Sequence, residues 1–431
     1  MLETPPRKSC RECIRNFTWA WYTVIMGTGG TSALVHAFPY GNDSPAIKAV
    51  TLVIFSLNLL LFVLFTGATI ARYIMFPDIW LKMIRHPAQG PLMGAFPAGA
   101  ATLINIALVA NQEWKFGRIE FLYTLWGFWW FDSILSYLIA FGMLHAMMVE
   151  QKHALQTMTP LWLLPAISLI VASSTGGLLS AALKAQSMKF AILTTLFSFT
   201  MVIIGLSLAL MMITVYLARL IINGPPEKPL VLSAFVALGP FGQGGYSLLI
   251  NGQNLSEILP LHVSGTFPGV AAGGQMIFSF CFCGSYILWS MGVCWSIISS
   301  ISIFSVLKKE GNIPFSIAYQ GLIFPNAVFA LLSVQLGNVL NSGFFCGFGA
   351  AWTVIVFILW LSIFARTILA VVDRSIFVAP DIAVPPLPLD SNDSLDSIKP
   401  AGISHTLARQ QLSHLSDLMP FHTNFVKVVP C

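Results

Sequence analysis

An apolar segment long enough to cross a membrane is interrupted by the helix breakers Gly239-Pro240-Phe241-Gly242-Gln243-Gly244-Gly245. A proline in a helix interior removes one backbone hydrogen bond and frees a carbonyl group. In lipid, a freed backbone group is tolerated only where protein or a water-filled cavity satisfies it. The segment is therefore predicted to lie inside a bundle of membrane-spanning helices, beside a cavity.

The composition of the whole chain also indicates a membrane protein. Its 431 residues are 56% hydrophobic and only 9% charged, whereas soluble domains have about 25% charged residues. This number of charged residues is too small to cover the surface of a soluble globular protein. A soluble enzyme is therefore not expected. The net charge of +5 includes no dense basic run for nucleic-acid binding, and no phosphate-binding loop for ATP is present. We expect neither catalysis nor a cofactor or metal.

Ten apolar stretches of about 20 residues or more are predicted to span the membrane. They lie near residues 17–38, 47–75, 91–111, 121–148, 160–183, 189–222, 229–251, 270–306, 313–336 and 347–372. Every connection between them is short. The predicted fold class is an all-α polytopic membrane protein whose ten-helix domain covers residues 17–375.

The distribution of basic residues predicts the orientation. Before the distal tail is counted, the spans above place 14 Lys and Arg residues on the side of the N-terminus and five on the other side. The richer side is expected to be cytoplasmic, so both termini are predicted to be cytoplasmic. Residues 1–16 form the N-terminal segment. Residues 376–431, rich in Pro, Ser and Asp, are predicted to be a disordered cytoplasmic tail.

Helix breakers recur in every second span. Span 3 has Phe96-Pro97-Ala98-Gly99, span 5 has Pro165 and a later Gly pair, and span 9 has Phe324-Pro325. Span 1 has Gly27-Thr28-Gly29-Gly30, and the even spans lack interior prolines. The alternation predicts five helical hairpins, with kinked odd helices in an inner ring around a central pore and even helices facing lipid. Alternatively, the glycines only allow close helix packing.

A pore without full charges suits a small anion that is conducted and not tightly held. Backbone N–H groups at helix breaks and side-chain hydroxyls can replace part of its hydration shell. The predicted pore-lining residues are Gly27, Thr28, Gly29, Gly30, Phe96, Pro97, Ser173, Ser174, Thr175, Gly176, Gly242, Gln243, Gly244, Pro325 and Asn326.

Three charged residues receive two interpretations each. Asp132 is the one acidic residue well inside a span, and a carboxylate there is a functional candidate by default. It either couples transport to protons or bonds a neighbouring helix. Lys184 and Lys189 lie near the outer ends of spans 5 and 6, where they either attract anions or are solvated loop residues.

Several motifs resemble one family of transporters. Phe17-Thr18-Trp19-Ala20-Trp21-Tyr22 and Met26-Gly27-Thr28-Gly29-Gly30 resemble the first span of the tellurite-resistance/dicarboxylate transporter family. Within that family, Trp129-Trp130-Phe131-Asp132 and the span 7 breakers are most similar to those of the fungal sulfite efflux pumps. The resemblance covers about residues 17–373.

The resemblance implies a fold and a function. Family members have ten helices as five hairpins around a pore, and bacterial relatives and plant slow anion channels form trimers with one pore per subunit. A phenylalanine on their ninth span plugs the pore, and the matching residue is Phe324. The expected function is export of sulfite or bisulfite across the plasma membrane through a Phe-gated pore, driven by the membrane potential. The alternatives are a C4-dicarboxylate (malate) transporter and a membrane receptor or scaffold with a recruiting tail.

Overall fold

The computed structural model describes residues 8–226, 228, 230–263 and 270–379, and within these ranges the chain forms helices and no strands. Ten helices of 15 residues or more lie there. They are α1 (Tyr22–His36), α2 (Pro45–Met75), α3 (Ala95–Trp114), α4 (Arg118–Val149), α5 (Leu164–Leu183), α6 (Met188–Asn223), α7 (Leu238–Val263), α8 (Val270–Glu310), α9 (Ile323–Leu340) and α10 (Gly343–Val372). Two short helices, Cys10–Arg15 and Asp78–Arg85, precede α1 and α3.

The five odd-numbered helices form a closed inner ring. Around it, α1 contacts α3, α3 contacts α5, α5 contacts α7, α7 contacts α9, and α9 returns to α1. Each even-numbered helix packs against the odd-numbered helix before it. In α3, α5 and α9, each taken with its preceding 3₁₀ segment, 72% to 83% of the apolar membrane-spanning stretch is buried inside the protein. In the even-numbered helices the buried share of that stretch is only 17% to 44%. The predicted hairpins and the inner position of the odd helices are confirmed.

Each odd-numbered helix begins with a short 3₁₀ segment. These segments are Trp19–Trp21, Pro91–Gly94, Pro160–Leu163, Leu230–Ala237 and Ile317–Leu322. They contact one another in the same order as the helices that follow them. A second, smaller ring therefore lies at the end of the bundle where the odd helices begin.

The prolines of the odd spans lie in first turns and not in helix interiors. Pro165 is the second residue of α5, while Pro97, Pro240 and Pro325 are the third residues of α3, α7 and α9. The first four N–H groups of a helix have no partner within that helix, so proline removes nothing there. The prediction of kinks in the helix interiors is therefore wrong. The change in backbone conformation lies at the junction between the 3₁₀ segment and the α-helix.

Length and composition identify fewer membrane-spanning helices than the ten predicted spans. Within the described residues, eight helices are long and apolar enough to cross a membrane, and α1 and α7 are not among them. α1 has 15 residues and contains Gly-Thr-Gly-Gly, and α7 contains Gly-Gln-Gly-Gly. Both belong to the inner ring, where neighbouring helices surround much of their surface.

The two ends of the described chain meet at the 3₁₀ end of the bundle. Phe377 stacks on Trp21 with ring centroids 5.1 Å apart, and its carbonyl accepts a hydrogen bond from Lys8 Nζ at 2.7 Å. Arg374 donates in turn to the carbonyl of Lys8. Ile376 is buried, so the first residues of the predicted tail pack against the helical domain. Residues 380–431, the rest of that tail, lie outside the described residues, as do residues 1–7.

Candidate functional site

The inner ring encloses two cavities, one on each side of Phe324. The proximal cavity, of about 340 Å³, lies toward the 3₁₀ segments and the chain ends, and its walls include Thr18, Gln320 and Ile376. The distal cavity, of about 240 Å³, lies toward the C-terminal ends of α1 and α3, and its walls include His36. Phe324 is the one described residue that lines both. Its ring therefore lies between the two cavities.

The ring of Phe324 is held by close contact with α1. Only 4% of the residue is exposed. A Cβ atom added to Gly30 would lie 3.2 Å from Phe324 Cδ2 and 3.3 Å from Ala327 Cβ. The missing side chain of Gly30 thus lets α1 and α9 approach with the phenyl group between them.

Both cavities have walls without full charges. Among the described residues, no Lys, Arg, Asp or Glu lines either cavity. The proximal cavity is mostly aliphatic, with scattered polar side chains such as Gln89 and Ser233. The distal cavity carries Thr102, Asn105 and Tyr246. Such walls offer a small anion hydrogen bonds but no fixed opposite charge, so they do not hold it tightly.

A few of the predicted pore-lining residues reach a cavity. Gly29, Gly30 and Gln243 line the distal cavity, and Pro325 lines the proximal one. Gln243 is oriented by a hydrogen bond from its Nε2 to the hydroxyl of Ser174.

The other members of the predicted lining set face neighbouring helices. Gly27 lies against Ile323, and Thr28 accepts a hydrogen bond from Trp360 Nε1 of α10 at 3.2 Å. Phe96 stacks on Phe62 of α2 with ring centroids 5.5 Å apart. These residues do not line either cavity in the described part of the chain.

The hydroxyls of α5 bond to protein groups. Ser173 Oγ donates to the carbonyl of Ser198 at 2.6 Å and lies 2.7 Å from Ser247 Oγ. Ser174 and Thr175 both donate to the carbonyl of Val171. All three residues are fully buried. This arrangement does not match the prediction that these hydroxyls replace a hydration shell, since none of them lines either of the two cavities described above.

Close packing accounts for several of the predicted pore glycines. An added Cβ would collide with Ser198 and Trp129 at Gly176, and would lie 2.9 Å from Leu206 at Gly244. At Gly242 it would lie 2.6 Å from the backbone nitrogen of Phe329. For these positions the alternative interpretation, close approach of helices, describes the structure. Pro97 and Asn326 are buried as well, and Asn326 donates to the carbonyl of Leu322 at 2.8 Å.

The charged candidates lie away from both cavities. Asp132 is 3% exposed on the inward side of α4, and its Oδ2 has no hydrogen-bond partner within the described residues. Lys184 forms an ion pair with Glu257 of α7, so its charge is compensated at the surface. Lys189 is exposed in the first turn of α6.

Sequence reasoning missed four polar residues of the distal cavity: His36, Thr102, Asn105 and Tyr246. They stand in the C-terminal half of α1, in the middle of α3 and early in α7. The available signal was a polar residue in each of three odd spans. It could not be used alone, because the rotation of each helix decides whether such a residue faces the pore.

Comparison with known proteins gives one family and a consistent set of relatives. The profile of SLAC1, described as voltage-dependent anion channel, matches residues 16–368. The sulfite efflux pump SSU1 of Trichophyton rubrum is 31% identical over 365 residues, covering 84% of this chain and 93% of that protein. SSU1 of Candida albicans is 28% identical over 342 residues, covering 76% and 67%. The malic acid transport protein of Schizosaccharomyces pombe is 20% identical over 363 residues, covering 83% and 78%.

Proposed function

Because the chain belongs to the SLAC1 family of voltage-dependent anion channels, we propose that it exports sulfite or bisulfite through its two cavities, with Phe324 as the gate. The observation that carries this proposal is that Phe324 lines both cavities. The similarity to proteins named sulfite efflux pumps, at 31% identity over most of both chains, supports sulfite as the substrate.

The chemistry of the walls favours a small anion over a dicarboxylate. A dicarboxylate would be bound best by an arginine, whose planar guanidinium group pairs with a carboxylate through two hydrogen bonds. No arginine lines either cavity in the described ranges. Sulfite and bisulfite are compact oxyanions that need only a few donors. The lower identity to the malic acid transport protein, 20%, agrees with this preference.

The membrane potential is a sufficient driving force for export of a monovalent anion. Moving one negative charge out of a cell with a potential of about 100 mV, negative inside, releases about 2.3 kcal/mol. This free energy supports a gradient of roughly 40- to 50-fold. We therefore propose a gated uniporter or channel in the plasma membrane, with the proximal cavity on the cytoplasmic side. Basic residues near that end, among them Lys8 and Arg374, support this orientation. The homotrimer is part of the proposal and is supported by the family resemblance.

Purified protein in a planar bilayer should carry an anion current that depends on sulfite and on voltage. At equal concentrations, sulfite should give a current at least about tenfold larger than malate, because the uncharged walls do not compensate a dianion of that size. The measurement is the reversal potential and the current in gradients of each anion. A malate current equal to or larger than the sulfite current would contradict the proposal.

Asp132→Asn should leave the voltage-driven sulfite current within about twofold of the parent, because its carboxylate lies outside both cavities. The same bilayer assay measures it, and flux driven by a proton gradient in vesicles is measured in parallel. Loss of the proton-driven flux alone would assign proton coupling to Asp132. Loss of the voltage-driven current in a stably folded variant would contradict a path that avoids this residue.

A further inference from the structure

The distal cavity contains polar atoms that the protein leaves without partners. Within the described residues, His36 Nδ1 and Asn105 Oδ1 are buried and make no hydrogen bond. Both residues line the cavity, as does Tyr246. Buried polar groups are nearly always hydrogen-bonded, so unpartnered ones in a cavity indicate a ligand or ordered water. The side-chain amide of Asn105 can present its NH₂ group to such a ligand by rotation.

The other ring nitrogen of His36 is fixed by charged residues. His36 Nε2 lies 3.4 Å from Glu113 Oε1 of α3, and Glu113 Oε2 lies 3.3 Å from Lys48 Nζ of α2. Lys48 Nζ is also 3.6 Å from the exposed carboxylate of Asp43. This chain of contacts orients the imidazole and leaves Nδ1 as the nitrogen available to the cavity.

An anion bound beside His36 Nδ1 favours the protonated imidazole, because an opposite charge close by stabilises the charged form of a titratable group. The charged groups beside His36 are Glu113, which contacts Nε2, and Lys48, which pairs with Glu113, whereas the exposed Asp43 contacts only Lys48. Tyr246 is the titratable group of α7 at this cavity, and α9 carries no charged residue. Protonation of His36 makes both ring nitrogens donors, and the bound anion compensates the added positive charge.

We propose that His36, Asn105 and Tyr246 form a binding site for a sulfur oxyanion in the distal cavity. The anion binds there between Phe324 and the outer opening of the pore. The inference rests on the proposed sulfite transport and names the residues that contact the substrate there. Three donors from three helices suit an anion whose several oxygen atoms point in different directions. Glu113 is a positioning residue, since it acts through His36.

The test is the sulfite concentration that gives half-maximal current in planar bilayers. His36→Leu and Asn105→Leu should each raise it about tenfold, since each removes a hydrogen bond to a charged group. The maximal current at saturating sulfite should stay near that of the parent, which a misfolded variant could not show. His36→Asn should restore part of the affinity, because its amide nitrogen can replace Nδ1 as a donor. His145→Leu, a histidine exposed on α4, is the matched control and should behave as the parent.

The outcomes separate this inference from the proposed function. In one outcome, the parent carries a sulfite current while His36→Leu and Asn105→Leu reach half-maximal current at the same sulfite concentration as the parent. That result would overturn the binding site and leave sulfite transport standing. A parent without any sulfite current would overturn both. A raised half-saturating concentration in the two variants but not in His145→Leu supports the site.

Discussion

Phe324→Ala is expected to raise the sulfite current by at least about tenfold, which corresponds to a barrier lowered by about 1.4 kcal/mol or more. The phenyl group is the one described side chain that borders both cavities. Its removal joins them into a continuous passage along the inner ring. The increase should appear as a larger current at every voltage in planar bilayers, with the same preference for sulfite over malate.

Two further variants separate gating from packing. Phe324→Leu keeps an apolar side chain of smaller volume and should give an intermediate current. Phe329 lies further along the same helix, is fully buried, and packs against Gly292, Trp289 and Trp352 without lining a cavity. Phe329→Leu should therefore leave the current per folded molecule unchanged. A Phe324→Ala protein that conducts no faster than the parent would show that another group closes the passage.

Gly242→Ala should destabilise the folded protein by about 1–3 kcal/mol, the usual cost of forcing extra volume into a packed interior. An added Cβ would lie 2.6 Å from the nitrogen and 2.8 Å from the Cα of Phe329. These are backbone atoms and cannot rotate away, so α7 and α9 would have to separate. The expected result is a lower melting temperature of the detergent-purified protein, measured by tryptophan fluorescence.

The control for this substitution lies three residues earlier in the same helix. At Gly239, an added Cβ would meet one atom, Ile167 Cδ1, at an ordinary contact distance of 3.6 Å. Gly239→Ala should therefore melt close to the parent, and the greater helix propensity of alanine acts in its favour. Equal melting temperatures for the two variants would contradict the tight contact between α7 and α9.

The alternation of helix breakers was enough to predict the inner ring, but for a reason that needed correction. Breakers are tolerated in lipid only where protein surrounds them, and this holds whether a proline kinks a helix or opens its first turn. The sequence pattern therefore identified the inner helices without locating the break. The structure locates it, with Pro97 and Pro325 in first turns preceded by 3₁₀ segments.

The individual lining residues were harder to predict because helix rotation decides which face meets the cavity. A neighbouring pair such as Gly29 and Thr28 points in different directions, and only Gly29 reaches the cavity. Serine and threonine add a second difficulty, since they can bond to carbonyls of their own helix. Ser174 does so with Val171. A hydroxyl in an inner helix is therefore no guide to the pore without the tertiary contacts.

The contact between α1 and α9, together with the meeting of the chain ends, sets an order for biosynthesis. The ring closes only when α9, which is made late in translation, packs against α1, which is made much earlier. Until then, the nascent α1 has one flank without its ring neighbour, and its Gly-Thr-Gly-Gly run is uncovered there. Long-range contacts of this kind form late and slowly. The passage through the protein is thus assembled last, after the ribosome has nearly finished the transmembrane part of the chain.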